Sequence, residues 1–152
     1  MEGAELRRVY SVLLAEVDAG GFGAPPAGEL SAEQVLAHLV ANDELLIEAT
    51  EAVLAGSPWA DYDLESIHRP QLDALIAEYG DLAGLAARLR TTGERLCALT
   101  ERVVTRADTP VDTHLREGLD LDVDESLPWG RTIDIHGRVH LPMHTEQLRA
   151  LR

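Results

Sequence analysis

At 152 residues with 45% hydrophobic content, the chain suits one compact domain, 1–152, built around one core. Only 4% of residues are aromatic, so that core draws mainly on Leu, Val, Ile and Ala, a composition that favours helices over a β-sandwich. A formal net charge of −14 leaves no basic surplus to displace counterions from nucleic acid or to hold an anionic membrane surface, so neither is expected as a partner.

The first helix is expected from about Ala4 to Asp18, with Leu6, Tyr10, Leu13, Leu14 and Val17 on one face. Gly20, Gly21, Gly23, Pro25 and Pro26 break it. The second helix has the clearest start in the chain. Ser31 is the N-cap and Gln34 follows three residues later, as a capping box requires, with Leu30 and Val35 as a hydrophobic staple. Its pattern runs to about Ala55, where Gly56 and Pro58 stop it.

Residues 57–69 read as a loop with a short helical turn, and Pro70 opens a third helix whose apolar stripe continues to Val103, with a break allowed near Gly80. Between Thr109 and Val123 the period changes to two, through Val111, Thr113 and Leu115 and then Leu119, Leu121 and Val123. This predicts a small β-hairpin turning at Glu117 and Gly118. In it the acidic run Asp120, Asp122, Asp124, Glu125 forms the solvated face of a strand. The last helix begins near Pro128 or Thr132 and runs to the C-terminus. The expected fold class is therefore all-α: a four-helix bundle with a hairpin between helices 3 and 4.

Two helices carry polar residues on apolar faces. The stripe of the second reads Val35, His38, Leu39, Asn42, Leu45, Leu46, and that of the last reads Ile133, His136, His140, His144, Gln147, Leu151. A buried polar group without a partner costs about 1–3 kcal/mol, so several inward imidazoles need a reason. His140 and His144 are four apart and share a helix face, which lets two ring nitrogens reach one metal at about 2.0–2.1 Å. His38 supplies a third ligand from across the bundle, and three neutral imidazoles leave coordination positions open for a substrate. Asn42, Gln147 and His136 orient the ligands or wall the pocket, with His136 an alternative ligand. Trp129, Trp59 and Tyr62 are candidates to roof the pocket, and Arg131 or Arg138 to receive a carboxylate.

Cys97 is the only cysteine, so no intrachain disulfide forms and a reducing compartment is expected. It sits among leucines and reads as a small buried hydrophobe. MEGAELRRVY lacks the apolar core of a signal peptide, and no run reaches transmembrane length, so a cytoplasmic location is expected.

The segments LSAEQVLAHLVANDELL and LPWGRTIDIHGRVHLPMHTEQL carry a resemblance. The first is similar to the second helix of the DinB-like superfamily. The second is similar to that family's last helix, with Trp129 near its start and the His-x3-His-x2-Gln ending of His140, His144 and Gln147. The resemblance implies an up-down-down-up bundle with His38, His140 and His144 holding a divalent transition metal (Zn, Ni or Fe). It also points to the bacillithiol transferases and mycothiol-dependent maleylpyruvate isomerases, and so to a low-molecular-weight thiol, a small electrophilic substrate and a homodimer. The alternative is a non-catalytic metal- or ligand-binding bundle. Two features depart from the family. Pro142 lies between the two helix-borne ligands and is expected to kink the helix, turning His144 from His140. The chain also ends just after the last helix, without the isomerases' second domain, which weighs against that activity.

Overall fold

The computed structural model describes residues 1–118 and 121–152, so the alternation read through Leu119 and Asp120 lies outside the described residues. Helix α1 spans Gly3–Ala19 and α2 spans Ala32–Leu54. The capping box starts α2: Gln34 N–H donates to Ser31 Oγ at 3.1 Å, and Ser31 N–H donates to Gln34 Oε1 at 3.0 Å. With that end fixed, Val35, His38, Leu39, Asn42, Asp43 and Leu46 all point into the core.

The long third helix divides in two. Gly80 takes φ +88° and ends α3, Arg69–Tyr79, and Asp81 then caps α4, Leu82–Val103, through the Gly84 N–H. Only a residue without Cβ adopts that dihedral cheaply, so the stripe continues while the helix does not. Helices α1 and α2 both pack on α4, and α3 lies outside against α2. The α1–α4 approach depends on Gly93, where a Cβ would stand 2.9 Å from the Tyr10 ring.

The all-α expectation does not hold. Among the described residues the structure is 67% helical and 13% strand, with five helices, counting the divided last helix once, and a three-stranded mixed sheet in an α/β arrangement. Strands β2, Pro110–Glu117, and β3, Leu121–Pro128, form an antiparallel ladder in which Val111 faces Leu127 and Glu117 faces Leu121. The addition is β1, Asp61–Asp63, inside the segment read as a loop, which pairs parallel with β2 through Tyr62 and Thr113. Three residues are too few to display a period, and burial of Tyr62 fixes the strand. One face of β2 (Val111, Thr113, Leu115) closes the core.

The last helix is continuous but not uniform. Its first part, α5, covers Trp129–Ile135, a π-helical turn covers His136–His140, and α6 covers Leu141–Arg149. Leu141 N–H bonds to the His136 carbonyl, one residue further back than in an α-helix. Pro142 explains the widening: it has no N–H, and its ring would strike the Arg138 carbonyl of a regular turn. The misfit is absorbed as a π turn, and His144 is not carried away from His140. Among the described residues, no helix is long and apolar enough to cross a membrane.

Candidate metal centre

Four side chains from three parts of the chain meet under the sheet. His38 comes from the middle of α2, Glu117 from the end of β2, His140 from the last residue of the π turn and His144 from the first turn of α6. One ligand atom from each lies within 4.8 Å of all the others. Glu117 Oε1 is 2.7 Å from His144 Nε2 and 3.0 Å from His38 Nε2, and Oε2 contacts His140 Nε2. The two helix-borne Nε2 atoms are 3.0 Å apart, their rings crossing at 86°. His140 is fully buried and His144 nearly so, His38 is 9% exposed, and the Glu117 side chain, at 18%, faces outward most.

The contacts in this cluster call for a proton or a metal cation between the ring nitrogens and the carboxylate. Gln147 Oε1 lies 2.7 Å from His144 Nδ1, and an amide oxygen only accepts, so Nδ1 carries the proton. If the ring is neutral, its Nε2 is then a bare lone pair 2.7 Å from a carboxylate oxygen, a contact that needs a proton or a metal cation between the atoms. Two acceptors do not attract. His38 Nε2 is buried and makes no hydrogen bond, although the same oxygen is 3.0 Å away. Three imidazoles and a carboxylate are a donor set for a divalent transition metal, and the facing lone pairs fit one.

Protonation agrees with that fit. Burial pushes His140 down to about 4, against the pull of Glu117. Burial also pushes the Glu117 carboxyl up, but contacts with His140, His144 and His38 together outweigh it and hold the group far below the usual carboxylate range. Near neutral pH the neutral His140 ring and the ionised Glu117 carboxylate are thus in the forms that bind a cation. No protein-family model, curated protein or solved structure matches the chain. The reading of the site therefore rests on its own chemistry.

The remaining sequence candidates divide. Gln147 orients His144. Asn42 is buried between Tyr62, whose hydroxyl donates to its Oδ1, and the Nδ1 atoms of His140 and His136, at 3.3 and 3.4 Å from its Nδ2. His136 stands behind His140, with their Nδ1 atoms 3.2 Å apart, and is outside the group of four. Trp129 is not a roof: it is buried in the core and its indole N–H donates to Thr50 Oγ1 at 3.0 Å. Arg131 is exposed, Arg138 pairs with Glu5 at 3.4 Å, and Trp59 is 85% exposed. Burial pushes the Cys97 thiol up to about 12, which leaves it inert near neutral pH.

Glu117 is the residue that sequence reasoning missed. It was assigned to the hairpin turn, yet the strand runs through it, and the inward positions Val111, Thr113 and Leu115 continue to 117. The period-two pattern held that signal. Three histidines alone leave coordination positions open, whereas Glu117 brings a fourth donor to the same point.

Proposed function

We propose that the chain is a metal-dependent enzyme of the DinB-like class, a low-molecular-weight-thiol S-transferase or isomerase. On this reading His38, Glu117, His140 and His144 hold one divalent transition metal. The observation that carries it is the convergence of three imidazole nitrogens and an ionised carboxylate within 4.8 Å. Zinc, nickel and iron(II) all suit this donor set. Such an ion supplies Lewis acidity, lowering the pKa of a thiol or water brought to it.

The chain's own residues divide the rest of the work. His140 and His144 are buried and backed by polar contacts to Gln147 and His136, so they fix the position of the site. Glu117, the most exposed of the four, borders the side from which a small molecule approaches, and it balances the positive charge of the ion. The inert Cys97 is no obstacle, because the nucleophilic sulfur belongs to the co-substrate. The net charge of −14 favours a small-molecule partner over nucleic acid, and the single cysteine favours the cytoplasm.

A second reading draws on Glu117 itself. Four protein donors complete a tetrahedron, as in structural sites, and a non-catalytic metal-binding domain would look the same. Thiol consumption separates the two. Protein loaded with zinc, nickel or iron(II) is mixed with cysteine, glutathione or mycothiol and a maleimide or chlorobimane acceptor. The enzyme reading expects loss of free thiol above the uncatalysed rate, abolished by His144→Ala. Metal-replete protein that consumes none of these thiols with any of the three metals selects the non-catalytic reading.

A further inference from the structure

His140 Nδ1 has two polar neighbours that demand opposite tautomers. Asn42 Nδ2, at 3.3 Å, can only donate because its amide oxygen is held by Tyr62; accepting from it would leave the proton on His140 Nε2, where a metal could not bind. His136 Nδ1, at 3.2 Å, offers the alternative: if bare, it accepts from His140 Nδ1–H and frees Nε2. What decides between them lies one layer further back.

Asp43 is fully buried, one residue after Asn42. Its Oδ1 accepts from the Tyr10 hydroxyl at 2.5 Å and its Oδ2 from the Thr92 hydroxyl at 2.7 Å. A phenol has one proton, and with the Asp43 carboxyl ionised it goes to Asp43. Tyr10 Oη, 2.9 Å from His136 Nε2, can therefore only accept, so His136 carries its proton on Nε2. A neutral ring protonated there is bare at Nδ1, and the Asn42 amide nitrogen, a donor only, faces that Nδ1 at 3.4 Å. The geometry points to Asp43, acting through Tyr10 and His136, as the positioning residue that sets the tautomer of His140 and so makes its Nε2 a ligand. The inference rests on the metal-centre reading above. It adds that binding is governed from a carboxylate on the far side of the ligand, three hydrogen bonds away.

The test uses substitutions that keep or break the polarity of the chain. His136→Gln preserves it, since an amide oxygen can accept from His140 and its NH2 can donate to Tyr10. His136→Leu breaks it, and Tyr10→Phe removes the hydroxyl that receives the His136 proton and donates to Asp43. Zinc affinity is read by competition with a chromophoric chelator, cobalt(II) absorption reports ligand geometry, and melting of the metal-free forms reports folding. The expected result is a loss of about tenfold or more in zinc affinity for Leu and Phe, with altered cobalt spectra, and wild-type affinity for Gln. Equal affinity in Tyr10→Phe and wild type, or a Gln variant as weak as Leu, overturns the relay while the metal centre stands. A wild type that binds no zinc removes both.

Discussion

At the contact between His144 Nε2 and Glu117 Oε1, two atoms that each carry a lone pair stand 2.7 Å apart at a mostly buried site, so a proton or a metal cation has to lie between them. In such surroundings the repulsion is large unless a cation separates the atoms. Glu117→Gln removes the charge. Metal affinity is expected to fall about tenfold or more, and the metal-free protein to lose stability near neutral pH, because the contacts that hold Glu117 low favour its ionised form in the folded chain. Chelator competition and urea unfolding in EDTA check the two, and an unchanged metal affinity contradicts the assignment. The three histidines were legible because inward imidazoles at helical spacing stand out on an apolar stripe. Glu117 was not, because one carboxylate in an acidic hairpin resembles its solvated neighbours, and its direction depends on the strand continuing one pleat past Leu115.

Asp43 gives a second prediction at this scale. Burial pushes its carboxyl up from 3.8 to about 7, against the hydrogen bonds from Tyr10 and Thr92. The folded chain therefore holds this proton more tightly than the unfolded chain does between about pH 4 and 7. Over that window its contribution to stability declines as pH rises, by on the order of 4 kcal/mol in all. His140 slopes the opposite way through part of the same range, so the difference between wild type and Asp43→Asn isolates the term. Denaturant titrations of the metal-free forms from pH 4.5 to 7.5 should diverge steadily. Parallel curves contradict the buried, raised carboxyl.

Among the elements, three carry the site. The capped α2 aims His38, Asn42 and Asp43 inward, β2 delivers Glu117, and the π turn lets His140 and His144 share a target despite Pro142. The cap, the glycine break and the alternating strands were visible as local chemistry. Strand β1 and the π turn were not: the first is too short for a period, and the second is a compromise that only the folded helix has to make. Helix α1 holds Tyr10 against α4 across Gly93. Gly93→Ala puts a methyl 2.9 Å from that ring, and overpacking of this kind costs about 1–3 kcal/mol. Differential scanning calorimetry should show a lower Tm, with metal affinity reduced as well because Tyr10 shifts. An unchanged Tm shows that the helices separate freely.

For the whole molecule, the all-α expectation failed because it treated the hairpin as an appendage. The hairpin recruits β1, covers the core with one face and supplies Glu117 to the cluster of four, so sheet and helices are joined at the site. A cation bound there ties α2, β2 and the last helix together, and binding to the folded chain alone stabilises it by about 2.7 kcal/mol at a free concentration a hundred times Kd. Adding zinc should raise Tm and chelation reverse the rise.

The most direct measurement is metal content after equilibrium dialysis against zinc, with wild type beside His38→Ala and Glu117→Ala. The account predicts about one ion per chain in the wild type and affinities lower by about tenfold or more in both variants. Zinc-free wild type, or variants that retain as much metal as the wild type, would contradict it.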